Sequence, residues 1–275
     1  MKRILLLLPA LLALAHGTVL CAAESYTLSM LPVQPPEELT AMLTPLAARL
    51  STATGNNIRP VLTDNAAAYE AGLLRGNIVI GYESPMVYVN ASSQHEVLAT
   101  AVQGKDGPQQ QGLIISRSDA GIAAPQDLKG KTVMITSRSS AAGYLSQKLF
   151  LKKAGLDLER DCLLIEAAAG RGENVVIGVS LGDAEAGFVS KAAWQQAAEF
   201  IKPGSVKQVM TGAPLPNWAL SVSRRMPEEQ KEELRAVLTR LPKEDAALQA
   251  LGVTAFKAAE DAEYDIIRHL AENNN

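Results

Sequence analysis

Short apolar runs and longer stretches with apolar positions at helical spacing alternate along most of the chain. Tyr26–Leu31 alternates apolar and polar residues and predicts a first strand, followed by a proline-rich loop and an amphipathic helix from Glu37 to about Ala53. Ile58–Leu62 predicts a strand, Ala66–Leu74 a helix closed by Arg75-Gly76, and Ile78–Ile80 a short strand ending in Gly81-Tyr82-Glu83-Ser84-Pro85. A helix at Met86–Ala91 and a strand at Glu96–Val102 come next, and Gly112–Ser116 leads out of this half. The second half repeats the theme. Strands are expected at Thr132–Thr136, Cys162–Glu166 and Ala184–Val189, with helices at Ala141–Ala154, Asn174–Leu181 and Lys191–Phe200. Val206–Thr211 and Trp218–Val222 predict strands on either side of Gly212–Asn217, and the remainder reads as mostly helical, with Pro227 opening a helix at Glu228–Leu241. This alternation predicts an α/β fold with parallel-dominated mixed sheets covered by helices on both faces. In such folds ligands bind at the carboxyl ends of strands. The loops carrying Gln34, Asn65, Glu83-Ser84 and Ser139-Ser140 all fall at such ends.

The N-terminus departs from the pattern. Met1-Lys2-Arg3 is basic, Ile4–Ala15 is uninterrupted apolar sequence, and Cys21-Ala22-Ala23 is a small-residue end. The apolar part is too short to span a bilayer comfortably and fits a cleavable signal peptide, residues 1–23, which implies export to the periplasm. Cys21 is an alternative lipid-anchor site, although Leu20 stands where a small residue is expected before it. With Cys21 removed, Cys162 has no intramolecular partner and reads as a small hydrophobe in a buried strand.

The chain has 275 residues, 47% of them hydrophobic, and a formal net charge of −3. That length supports one large or two modest domains, and the charge gives no electrostatic case for nucleic acid. Of the three histidines, His16 lies in the leader, leaving His95 and His269, and no nucleophile-plus-base spacing, metal motif or nucleotide loop is present. The sequence therefore points away from an enzyme and implies neither metal nor cofactor.

Chemistry concentrates in Thr136-Ser137-Arg138-Ser139-Ser140-Ala141-Ala142-Gly143-Tyr144-Leu145. A strand ending in hydroxyl residues feeds a helix whose first turn is small. The leading N–H groups of a helix lack internal partners and its dipole favours an anion, so this stretch predicts an anion site. Ser139 or Ser140 as an ordinary N-cap is the alternative.

The order of motifs resembles the periplasmic phosphonate/phosphite/phosphate-binding proteins of ABC importers, members of the type II periplasmic binding fold. The resemblance runs through Thr44-Pro45-Leu46, Thr63-Asp64-Asn65, Arg75-Gly76-Asn77-Ile78-Val79-Ile80 and Ser84-Pro85-Met86-Val87-Tyr88. It continues through Leu128-Lys129-Gly130-Lys131, Ser139–Leu145, Leu151-Lys152-Lys153-Ala154-Gly155, Leu181–Ala186 and Pro214-Leu215-Pro216-Asn217. It implies two α/β lobes joined by a two-strand hinge, with crossings near Gly112–Ser116 and Gly212–Asn217. Residues 24–113 with 217–275 would form one lobe and 114–216 the other.

The resemblance also implies a small anionic solute held between the lobes, a monomer, and a membrane permease or sensor kinase as partner. Carried over residue by residue, it nominates Gln34, Asn65, Glu83, Ser84, Tyr88, Ser139, Ser140, Ala141, Ala142 and Ser190 as ligand-binding. The family's Ser-Thr-Ser run is Ser140-Ala141-Ala142 here, so two of its hydroxyls are absent, and charge-assisted hydrogen bonds are worth about 1.5–3 kcal/mol each. Other family positions differ too: Asn65 replaces an aromatic, Gly170–Glu173 replaces a histidine loop, and Val189-Ser190-Lys191 replaces a carboxylate. Arg138 or Arg171 could supply a compensating guanidinium. Glu83 is expected to face the cleft, and Tyr88 and Trp218 either to stack on ligand or to pack. The alternative function is a ligand-free interaction or sensor-accessory module that keeps the fold.

Overall fold

The computed structural model describes residues 24–104 and 107–272. The expected leader, the alternative anchor at Cys21 and the tail Asn273–Asn275 lie outside the described residues. A six-stranded sheet has the order β13-β4-β12-β3-β1-β2, with β1 Ser25–Met30, β2 Asn57–Pro60, β3 Ile80–Glu83, β4 His95–Val102, β12 Ala219–Ser223 and β13 Ala255–Ala258. A five-stranded sheet has the order β10-β6-β9-β7-β8, with β6 Gly112–Arg117, β7 Thr132–Ile135, β8 Leu163–Glu166, β9 Ala186–Ser190 and β10 Val206–Thr211. Between them runs a two-stranded antiparallel ribbon, β5 Gln109–Gln110 against β11 Leu215–Pro216.

Both sheets are mixed, as expected, with parallel pairs on one side and antiparallel pairs on the other. β1 pairs in parallel with β2 and β3, and β7 with β8 and β9. The strands next to the crossings, β6 and β12, pair antiparallel with all their neighbours. Those two strands carry the chain between sheets, so they run against the strands produced by helical crossovers.

Helix α1, Pro36–Thr54, shows how pattern becomes core. Leu39, Leu43, Leu46 and Leu50 fall on one face at helical spacing and all are buried against Leu28, Ile80, Leu220 and Phe256. Burying each leucine contributes roughly 1.5–3 kcal/mol, and Leu43→Ala would cost about 2–5 kcal/mol through the cavity it leaves. The second sheet is covered on one face by Tyr144, Leu145 and Leu151, and on the other by Val175, Val176 and Val179.

Three expectations change. β3 starts at Ile80 and runs through Glu83, so Glu83 is a sheet residue rather than a loop residue. β8 is the edge of its sheet, with Leu163 exposed, and Cys162 is half-buried just before it. The Cys162 thiol donates to Leu128 O at 3.2 Å, and burial pushes its pKa up to about 11. The C-terminal part is mostly helical as expected, but it also holds a strand the pattern did not give, β13, which pairs antiparallel with β4 between α9, Ala246–Leu251, and α10, Asp265–Glu272.

Candidate functional site

The carboxyl ends of β7, β8 and β9 lie side by side, and the turns leaving them gather around Thr136. After β7 the chain makes a short serine-rich turn in which Ser137 and Ser139 hydroxyls lie 3.2 Å apart. Ser140 then caps a helix start, its Oγ accepting from Gly143 N at 3.0 Å. That start, Ala141–Leu145, is π-helical: Leu145 N bonds to Ser140 O at 2.9 Å and Ser146 N to Ala141 O. It continues directly into α4, Ser146–Lys153. The predicted Ala141–Ala154 helix is therefore present with a widened first turn, a feature that recurs at functional sites.

Thr136 is the centre. It is buried, only 8% exposed, and its Oγ1 has no hydrogen-bond partner. A Cβ at Gly143 would lie 2.1 Å from that oxygen, so only glycine lets the helix start come this close. After β8 the turn Ala168–Gly170 approaches from the other side. Ala169 adopts φ 55°, a left-handed conformation unusual for a residue with a side chain, and a Cβ at Gly170 would lie 3.5 Å from Thr136 O. Helix α6, Gly172–Leu181, starts there, and Gly172 faces both Thr136 Cγ2 and Ala193. At the end of β9, Ser190 caps the next helix by accepting from Ala193 N at 3.1 Å. Hydroxyls of Thr136, Ser140 and Ser190 and the leading N–H groups of two long helices thus border one small-residue surface. Such a surface stabilises negative charge without a cationic side chain.

Neither arginine supplies one. Arg138 lies 3.3 Å from the Tyr144 hydroxyl and 3.8 Å from Glu159, along the outer side of the helix. Arg171 is exposed and pairs loosely with Glu173 at 4.0 Å.

In the six-stranded sheet the nominated residues divide. Asn65 caps α2, Ala66–Arg75, by accepting from Ala68 N at 2.9 Å, and Ser84 stands at the start of α3, Pro85–Ala91, with no side-chain cap bond. Gln34 is half-buried in the loop after β1, beside exposed Val33. Glu83 and Tyr88 face inward instead. Tyr88 is fully buried, stacks edge-on against Tyr264 at 4.7 Å and donates to Asp261 at 2.5 Å, so it packs rather than presenting a ring to solvent. Glu83 is fully buried under α2, accepting from the Tyr69 hydroxyl at 2.7 Å. Burial pushes its carboxyl up to about 7. Trp218 is half-buried against Tyr82, ring centres 5.2 Å apart.

Residues 28–264 match the family of ABC transporter, phosphonate, periplasmic substrate-binding proteins. The chain belongs to that family. The phosphate-import protein PhnD of Mycolicibacterium smegmatis is 22% identical over 280 residues, covering 90% of this chain and 85% of that protein. PhnD1 from Prochlorococcus marinus, solved with methylphosphonate, is similar with a TM-score of 0.74 at 16% identity, covering 92% of this chain and 98% of that one. XAC2383 from Xanthomonas citri, solved with ATP, gives 0.73 at 20% identity over 91% and 96%. At these identities the solved structures establish the fold, that of a two-lobed periplasmic binding protein.

The family is one of periplasmic substrate-binding proteins of ABC importers, a role that implies a small anionic ligand and a membrane permease as partners. No helix among the described residues is long and apolar enough to cross a membrane. Thr136 and Gly143 lie in the stretch the sequence singled out but were not nominated as ligand contacts, and neither were Gly170 and Gly172, which the fold brings beside Thr136. The available signal was a threonine ending an apolar strand ahead of a glycine in the next helix turn.

Proposed function

We propose that this protein captures a small oxyanion on the surface around Thr136 and presents it to the permease of an ABC importer. The observation that carries the reading is the buried, unpartnered Thr136 hydroxyl against a glycine in the first turn of a long helix. A polar atom in that position is costly unless something bonds to it. The leading N–H groups of Ala141 and Ala142 and the hydroxyls of Ser139, Ser140 and Ser190 complete the donors in this reading. Gln34, Asn65 and Ser84, at strand ends of the other sheet, close over the ligand from the opposite side.

In the same reading the lobes divide as residues 24–113 with 217–275, and 114–216, about the β5–β11 ribbon. Membership of the two sheets supports this division, with β6 beginning slightly before its boundary. Export by the 1–23 leader and a monomeric carrier belong to the proposal too.

The test is titration calorimetry on protein unfolded and refolded to strip carried-over ligand, against phosphate, phosphite, methylphosphonate, sulfate and short alkanesulfonates. At least one is expected to bind, and Thr136→Val, which exchanges hydroxyl for methyl at constant shape, is expected to weaken it about tenfold. Absence of heat from every oxyanion, in protein that has regained its fold, would sink the reading.

A further inference from the structure

We infer that Gln147 is a positioning residue that locks the anion-binding helix start to the interlobe crossing, so that the two move as one unit. The inference rests on the proposed anion site for its functional consequence, but its structural basis is separate.

Gln147 is fully buried in α4. Its Nε2 donates to Ala142 O at 2.8 Å and to Leu113 O at 3.0 Å, with Val189 O at 3.5 Å. Those carbonyls belong to three different segments. Ala142 is in the π-helical turn, Leu113 is in β6 just past the crossing, and Val189 immediately precedes the Ser190 cap. An amide nitrogen has two protons, so the two short contacts use both and the third is marginal. Meanwhile Oε1 is buried with no partner. An apolar residue would fill this space without that unmet acceptor, so the demand is for the donors.

The π register explains why a side chain is needed here. Ser146 N, which an α-helix would give to Ala142 O, bonds to Ala141 O instead. Gln147 supplies Ala142 O with a side-chain donor and ties it to the hinge strand.

The preceding residue fastens both crossings. Ser146 Oγ accepts from Gly112 N at 2.9 Å and donates to Ala213 O at 2.7 Å, while Ser146 O accepts from Ala213 N at 2.9 Å. Gly212 N closes the set on Gly112 O at 2.8 Å. The approach is backbone-close: a Cβ at Gly112 would lie 2.0 Å from Gln147 Nε2, and one at Gly212 would lie 2.3 Å from Ser146 Oγ. Displacement of the helix start by an anion therefore reaches the crossing through the Gln147 amide as well as through Ser146.

Two variants and two readouts test this. Gln147→Leu keeps the bulk and removes the donors. Gln147→Glu keeps the shape and turns an acceptor toward three carbonyls. In ligand-free protein, hydrogen exchange followed by mass spectrometry should quicken in Gln147→Leu for peptides covering 111–114 and 140–147, with β1 and β2 unchanged. With methylphosphonate and phosphate as probes, Gln147→Leu should lose about tenfold or more in affinity. Gln147→Glu should lose affinity at neutral pH and regain part of it relative to wild type on acidification, as its carboxyl takes up a proton and becomes a donor. A packing role alone gives no such profile. Unchanged exchange in both segments, with either variant, overturns the inference. So does wild-type affinity for a probe that the parent protein binds. If the parent binds neither probe, the exchange experiment alone decides this one, and the anion reading is judged by the full oxyanion panel. Should Gln147→Leu not fold, Gln147→Glu carries both readouts.

Discussion

Around Glu83 the direction of each proton is dictated by its neighbour. The Ile78 carbonyl can only accept, so Nε2 of His95 holds the ring proton in their 3.1 Å contact. Nδ1 is then an acceptor and takes the single proton of Ser221, 2.9 Å away. Tyr69 donates to Glu83 Oε2, and Oε1 has no partner. Desolvation outweighs the Tyr69 bond and raises Glu83 to about 7, while burial lowers His95 to about 4.

These directions fix the sign of the pH effect. Between about 4.5 and 7 the unfolded chain loses the Glu83 proton while the folded protein keeps it, so this residue's contribution to stability falls as pH rises through that window. His95 has the opposite slope, lost as pH falls from 6.5 to about 4, but it is common to both proteins and cancels in a comparison. Glu83→Gln should gain up to about 3 kcal/mol on wild type between pH 4.5 and pH 8, read from denaturant unfolding at each pH. A difference that does not vary with pH would mean the carboxyl is ionised throughout. None of this was visible in the sequence. The apolar run Ile78–Ile80 suggested that the strand stopped before Glu83, and only pairing with β1 and β12 carries it inside.

At the scale of elements, the helix start was legible and its winding was not. Ser140 as cap, the small first turn and the strand before it all follow from local residue types. The π register leaves no mark in an apolar period, because Ala141, Tyr144 and Leu145 are buried with this winding and the sequence carries no other cue to it. Gly143 is the residue on which that winding rests. In Gly143→Ala the new methyl meets Thr136 Oγ1 at 2.1 Å and Ser140 Oγ at 2.8 Å, an overlap costing about 1–3 kcal/mol that outweighs alanine's helix preference of about 1 kcal/mol. Thermal unfolding should show the loss, and adding Thr136→Ala should recover part of it, a coupling measurable by double-mutant cycle. Strictly additive effects would show that the two residues do not press on each other. The edge position of β8 and the existence of β13 were illegible for a different reason. Whether a short strand is an edge, or exists at all, depends on pairing with distant segments, here β7 and β4.

Over the whole molecule the two-lobed fold was the most legible feature, since it rests on the order of many weak motifs rather than on any one of them. The strand directions were less so. Alternation of strand and helix implies parallel pairing, and it does not reveal which strands return from a crossing. Ligand identity lies further out, because Ala141 and Ala142 leave the donor surface to backbone N–H groups that carry no sequence signature.

The interleaving of the chain has a consequence for how the protein reaches its native state. All five strands of the β10-β6-β9-β7-β8 sheet lie within residues 112–211, whereas β12 sits between β3 and β4 although it is made more than a hundred residues later. The larger sheet must hold a vacant central position until Ala219–Ser223 arrives, and contacts of such long sequence separation form slowly. Refolding of the full chain should therefore run in two stages. In pulse-labelling hydrogen exchange, amides of β6, β7 and β9 should become protected before those of β3, β4 and β12. Simultaneous protection of the two sets would mean that the vacancy imposes no delay. Until it is filled, β3 and β4 present open edges, and this interval is when the nascent carrier is most exposed to aggregation.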